Sequence, residues 1–338
     1  MRHRTGLPTG VRFHGSALAA GLLAMAAMAV VTTAPVHAQD FPTKPIHIVV
    51  PLPPGGSNDV LARVIGQKMG EAFGQPVVVE NKPGAAGNIA TEFMARADAD
   101  GHWIAVAPNQ TVAVNPVLYP KLPFDVLKDL QGISMMGRVP MVLVVSPKVS
   151  ATSVNDLIAQ AKAAPDKLTY ASAGAGSPQH MAAEVFKSMT GTRLTQIPYK
   201  GSAPALVDVL GGIVDVMFCP INSALPHIRS GKLRALGTTG TKRLDALLPG
   251  VPTIAEAVPN YESDIWIGMV APAKTPQPVI AKLNTELRRS LELPDVRAKL
   301  AEQGIYAETS TPAEFNTLIA TDQKRWAAVI KAAGIVPE

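Results

Sequence analysis

Residues 46–73 read IHIVVPLPPGGSNDVLARVIGQKMGEAF, and this stretch decides the fold. Ile46 to Val50 is a short β-branched run, the pattern of a buried strand. From Asn58 to Phe73, Val60, Leu61, Val64, Ile65, Met69 and Phe73 recur at helical spacing. The Pro-Pro-Gly-Gly turn between them suits neither element. Strand, glycine loop and amphipathic helix together open a βαβ unit, in which such a loop lies at the carboxyl edge of a parallel sheet. A helix N-terminus there offers free N–H groups to an anion. Gly55 and Gly56 let the main chain approach a ligand closely, while Ser57 or Asn58 serves as the cap. Taken alone, the loop also fits a plain turn closed by a cap.

The same rhythm continues outward. Val77–Val79 and Trp103–Ala107 read as strands of the first sheet, with a helix starting near Asn88. Met141–Val145 opens a second series, with helices predicted over Ser153–Ala164 and Gln179–Thr190 and a strand near Leu168–Ala171. Gln196–Pro198, Val214–Phe218 and Arg234–Gly237 are strand-like; Pro204–Leu210 and Ser223–Arg229 are helix-like. Ile265–Val270 resembles another strand, and helical patterns run over Pro278–Leu293 and Ala313–Ala333. Two α/β series in about 300 mature residues fit two domains better than one sheet, because single cores stop growing near that size. A cleft between the domains is the default ligand site.

A second loop of the same type, Ala171-Ser172-Ala173-Gly174-Ala175-Gly176-Ser177-Pro178-Gln179-His180, again joins a strand to a helix. One loop from each domain, meeting across the cleft, would hold a carboxylate by backbone amides and hydroxyls. Neither loop contains Lys or Arg, so capture rests on N–H groups and helix dipoles rather than an ion pair. The enzyme reading of Ser177 and His180 is weaker, because no G-x-S-x-G elbow surrounds Ser177 and Pro178 favours a cap followed by a first-turn His. The other His residues after the leader, His47, His102 and His227, show no metal-ligand spacing, and the glycine loops lack both nucleotide fingerprints. No metal and no cofactor are expected. Asp215 is read as structural; Cys219, at the end of its strand, is a small buried hydrophobe that also stands as a weak site candidate.

Composition agrees with a globular chain: 338 residues, 47% hydrophobic and 17% charged, with one Cys and therefore no internal disulfide. The net charge of +5 is misleading. Arg2, Arg4 and Arg12 precede the apolar run Ala17–Val31, and Val36-His37-Ala38 supplies a signal-peptidase site, so cleavage after Ala38 is predicted. Removing those three from the 31 Lys and Arg leaves 28 against 26 acids, a formal +2. With no basic stripe left, nucleic acid is excluded as a partner. The apolar run is shorter than the ~20 residues needed to span a bilayer.

Several segments in order resemble the tripartite tricarboxylate transporter receptors, the Bug family of periplasmic solute-binding proteins. They are FPTKPIHIVVPLPPGGSND from Phe41, VVVENKPGAAGNIA from Val77, NPVLYPKLPFDVLKDL from Asn115, QIPYKGSAPALVDVLGGIVDVMF from Gln196, SALPHIRSGKLRALGTTG from Ser223 and VPTIAEAVPNYE from Val251. The resemblance implies an α/β, two-domain type II periplasmic binding fold with the cleft between two mixed, mostly parallel sheets. It divides the chain into a signal peptide (1–38), a first domain (39–140), a second domain (141–262) and a return segment (263–338) that places the last helices on the first domain. It implies a non-catalytic monomer that closes on a small organic acid and delivers it to large and small membrane subunits. The implied pocket takes Leu52, Pro53, Gly55, Gly56, Ser57 and Asp59 from the first loop and Gly174, Ala175, Gly176, Ser177 and His180 from the second. Asn109, Thr111, Tyr199, Ser202 and Cys219 complete it. Many relatives carry Asp-Asn where Cys219-Pro220 stand, which weakens an amino-acid ligand and favours a plain mono- or dicarboxylate. A sensory co-receptor for a signalling kinase, and a periplasmic hydrolase using Ser177, His180 or Asp59, are the alternatives.

Overall fold

The computed structural model describes residues 41–337; the leader and its cleavage after Ala38 lie outside the described residues. The first sheet contains β1 (Ile46–Val50), β2 (Val77–Asn81), β3 (Trp103–Pro108), β4 (Leu130–Val139), β10 (Ile265–Pro272) and β11 (Tyr306–Ala307), in the order β11-β4-β10-β3-β1-β2. The second contains β5 (Met141–Val145), β6 (Thr169–Ser172), β7 (Thr195–Pro198), β8 (Val216–Pro220) and β9 (Arg234–Thr238), in the order β7-β6-β8-β5-β9. The two orders share a pattern. In each sheet the leading strand, β1 or β6, lies between two parallel neighbours, and a strand from elsewhere in the chain joins antiparallel beside the third. Both sheets are therefore mixed, with two parallel and three antiparallel pairings in the first and two of each in the second.

The helices of nine residues or more are α1 (Ser57–Phe73), α2 (Asn88–Arg96), α3 (Val154–Ala163), α4 (Pro178–Thr190), α5 (Ser202–Leu210), α6 (Ile221–Arg229), α7 (Gln277–Glu292), α8 (Pro294–Glu302) and α9 (Pro312–Ala333). The sequence reading locates all but α8 to within a few residues. It misses β4, the ten-residue strand that pairs β10 along most of its length, and β11 at the sheet edge.

The chain crosses between the sheets twice, and the crossings lie side by side. Outward it passes from Val139 through Pro140 to Met141; on return it runs from Thr239 towards Ile265, which pairs with Val139. Thr239 joins the two: its N–H donates to Met141 O (2.9 Å), its Oγ1 accepts from Met141 N (2.9 Å), and its carbonyl accepts from Ser263 N (3.2 Å).

The return segment seals the first sheet. Phe315 of α9 sits where Gly132 of β4 and Gly268 of β10 leave room for its ring; a Cβ on Gly268 would lie 2.0 Å from Phe315 Cζ. Further along α9, the buried carboxylate of Asp322 accepts the indole N–H of both Trp266 and Trp326 at 2.9 Å. One carboxylate oxygen shared by two buried donors satisfies all three groups at once.

Candidate functional site

A cleft of about 970 Å³ opens where the strand ends of the two sheets face each other. Both glycine loops line it. On the first-sheet side Gly56 is the N-cap of α1, and no side chain caps the helix, so its first N–H groups remain available. The sequence reading of Ser57 or Asn58 as cap is corrected by this geometry: both fall inside the helix.

 The expected cap residues thus give way to the Gly56 carbonyl, which receives the N–H groups of Asp59 and Val60 at 3.0 Å each.

Asp59 lies behind this loop, 4% exposed, and holds its shape. Its carboxylate accepts from Gly55 N–H and Arg63 Nε, both at 3.0 Å, and Arg63 reaches on to Asn81, whose amide donates to Leu52 O. Burial works to raise the Asp59 carboxyl, but the Arg63, Gly55 and Asn81 hydrogen bonds prevail and hold it below the ordinary carboxylate range.

On the second-sheet side Ser177 caps α4, accepting from His180 N–H (3.4 Å), as the sequence suggests. His180 Nδ1 accepts from Gly176 N–H at 3.2 Å, and its Nε2 lies 3.7 Å from Glu184, which also binds Tyr170 OH and Lys187. The imidazole therefore braces the loop from behind and is not paired with Ser177 Oγ as a base. Gly176 turns away from the cleft towards Leu118, where a Cβ would stand 2.5 Å from Cδ2.

Of the sixteen residues expected in the pocket, Leu52, Pro53, Gly56, Ser57, Asn109, Gly174, Ala175, Ser177 and Ser202 line the cleft. The others do not. Thr111 is buried and donates to Pro108 O (3.1 Å). Tyr199 donates to Asp208 (2.6 Å), and burial together with that carboxylate pushes its hydroxyl up to about 12. Cys219 is fully buried in the apolar cluster with Val142, Ala205 and Ile221, and burial raises its thiol to about 12, which makes it a poor nucleophile. Its position at a strand end suggested the cleft, but strand alternation turns the side chain the other way. Asp215 accepts from Thr169 N–H (2.8 Å) and Oγ1 (2.9 Å), the structural role expected of it.

The lining also includes residues that the sequence reading did not single out: Asn58, Gln179, Lys200, Asn222 and the apolar Ile265 and Ile267. Among the described residues that line the cleft there is no Asp, Glu or His, and Lys200, itself exposed, is the one charged side chain. Among the described residues, no group of three or more His, Cys, Asp or Glu is placed to hold a metal ion.

A smaller cavity of about 10 Å³, room for one water, lies at the crossings, lined by Asn109, Met141, Met181, Asp264 and Trp326 among others. Thr239 Oγ1 donates to Asp264 Oδ1 (2.7 Å), and the carboxylate turns inward over Gly240, which has no Cβ to obstruct it. Burial pushes Asp264 up to about 6, against the Thr239 hydrogen bond and the Arg138 charge; Glu262 and Glu308 add to the rise. The unfolded chain holds this proton only below about 4. The native state is thus favoured at low pH and loses that advantage as pH rises through about 6. Asp264→Asn is expected to raise the unfolding temperature at pH 8 and to change it little at pH 4, and an equal effect at both values would contradict this assignment.

The sequence profile of the tripartite tricarboxylate transporter family receptor matches residues 61–335. The chain belongs to the tripartite tricarboxylate transporter receptor family. Protein BugT of Bordetella pertussis is 41% identical over 303 residues, covering 89% of this chain and 93% of its own. Rpa4515 of R. palustris, solved with adipate, superimposes with a TM-score of 0.79 at 36% identity, covering 88% of this chain and 100% of its own. MatC (Rpa3494) from Rhodopseudomonas palustris, with bound malate, gives a TM-score of 0.75 at 31% identity, covering 86% and 100%. Tripartite tricarboxylate transporter receptors are periplasmic solute-binding proteins and not enzymes, and this family member has their α/β fold of two mixed sheets.

Proposed function

We propose that this receptor captures a small organic carboxylate by closing two lobes over it, residues 39–140 with 263–338 forming one and 141–262 the other. The observation that carries the reading is the pair of helix N-termini, at Gly56 and Ser177, lining one cleft with no acid among its described lining residues. The N–H groups at the first end and the Gln179 N–H at the second, where Pro178 has none and Ser177 Oγ takes that of His180, hold the carboxylate, with Leu52, Pro53, Ser57, Asn109, Gly174, Ala175 and Ser202 completing the contact surface. A ligand touching both loops shifts the open–closed equilibrium only through contacts made in the closed form. The adipate and malate bound by two relatives support an organic acid as the ligand class. In this reading the leader directs export and is removed after Ala38, and the closed, monomeric receptor is read by the large and small membrane subunits of a tripartite transporter.

A thermal-shift screen of residues 39–338 against mono-, di- and tricarboxylates tests it. At least one acid is expected to raise the unfolding temperature in a concentration-dependent way; a folded protein that no acid stabilises would contradict the reading. Lys200 sets the electrostatic contribution. Lys200→Glu is expected to weaken a dicarboxylate about fivefold, the scale of one exposed charge interaction, and to weaken a monocarboxylate less. Equal affinities for parent and variant in calorimetry at low salt would remove Lys200 from the site.

A further inference from the structure

Between β2 and α2 the chain makes a strained turn. Gly84, Ala85, Ala86 and Gly87 all have positive φ, at 128°, 46°, 54° and 91°, and Gly87 N–H donates to Gly84 O at 2.9 Å. A turn of this mirror-image hand needs positive φ at both central residues, which glycine takes freely and alanine takes only against its own Cβ. Only four described residues other than glycine have positive φ, and Ala85 and Ala86 are two of them standing side by side. The turn is seated against the first ligand loop. A Cβ on Gly87 would lie 3.2 Å from Pro51 Cβ, Asn81 at the end of β2 donates to Leu52 O at 3.1 Å, and the fully buried Asn115 donates to Ala86 O at 3.0 Å. Ala85 and Ala86 line the cleft, Ala85 exposed and Ala86 half-buried. Core packing therefore does not account for their methyl groups, and a pair of glycines would make the same turn without strain. Backbone strain of this kind gathers at ligand clamps, where it is kept for what it presents to the ligand.

Resting on the carboxylate reading above, we propose that Ala85 and Ala86 are specificity-determining residues whose methyl groups pack on the hydrocarbon chain of the bound acid, beside the carboxylate held at the Gly56 loop, and select among acids by chain length. A methyl group offers neither a donor nor a charge. It leaves the hold on the carboxylate unchanged and adds only the gain of covering apolar surface. Asn115, by fixing the Ala86 carbonyl, keeps this wall in place.

The test compares the parent receptor with Ala85→Gly/Ala86→Gly by thermal unfolding without ligand and by calorimetric titration with straight-chain dicarboxylates from malonate to pimelate. The variant is expected to unfold about 2 °C higher, because glycine relieves both residues. The parent is expected to prefer one of the longer acids to malonate. In the variant that preference should shrink about tenfold, the scale of two methyl contacts, with malonate within about twofold of its parent affinity. Higher stability with an unchanged spread of affinities would overturn the proposal, as would a parent that binds malonate best. Equal weakening of every acid would overturn it too, since the turn would then only steady the Gly56 loop. A variant that unfolds below the parent would show that the turn carries no strain and overturn it as well. Failure of every acid to bind the parent would overturn the carboxylate reading itself.

Discussion

Gly56→Val is expected to fold like the parent and to bind acids at least a hundredfold more weakly. The backbone at Gly56 is extended, with φ −84° and ψ 172°, a conformation valine adopts readily. A Cβ there meets no heavy atom within 4 Å, so the protein itself has no clash to relieve. Yet Gly56 is the uncapped N-cap of α1 and lines the cleft, and a branched side chain at that point occupies the approach to the first N–H groups. Binding and stability thus separate in one substitution. Thermal unfolding should be within about 2 °C of the parent, the scale of a 1 kcal/mol change in a chain of this length, while calorimetry detects no saturable heat at acid concentrations that saturate the parent. Unchanged affinity would show that the first loop does not hold the ligand.

Gly268→Ala is expected to destabilise the fold by about 3 kcal/mol or more, the upper range for overpacking a core. The added Cβ would lie 2.0 Å from Phe315 Cζ and 2.5 Å from Cε2, and a Cβ on Gly132 of the neighbouring strand would lie 2.7 Å from Cδ1 of the same ring. Strand propensity argues the opposite way, since glycine is the poorer strand former, so packing and propensity give opposite signs here. Phe315→Ala alone should cost about 3–5 kcal/mol by emptying the same space. In that background Gly268→Ala should cost far less, a coupling of several kcal/mol read by a double-mutant cycle in urea. A Gly268→Ala protein as stable as the parent would place α9 elsewhere.

The same glycines explain why β4 escaped the sequence reading. Its residues Leu130-Gln-Gly-Ile-Ser-Met-Met-Gly-Arg-Val139 show neither alternation nor a β-branched run, because almost all of them are buried and Gly132 and Gly137 stand where Phe315 and the Tyr306 backbone press against the strand. Those requirements come from segments more than a hundred residues away and leave no local periodicity. β1, α1 and the other α/β elements were legible because one buried face per element fixes a short repeat in the sequence. The two loops were legible for the same reason, as breaks between such elements. Which loop residues line the cleft was not: Asp59, Thr111, His180 and Cys219 turn into the protein, while Asn58 and Gln179 contribute to the lining, through helix phase and strand alternation at the loop ends.

The central claim, that the cleft between the loops of Gly56 and Ser177 is built to hold an organic acid, is tested most directly by native mass spectrometry of residues 39–338 purified from a periplasmic extract. The account predicts a population carrying one small acid per chain, released on gentle activation and lost in Gly56→Val. A folded parent that is always empty, or a bound acid that persists unchanged in Gly56→Val, would contradict it.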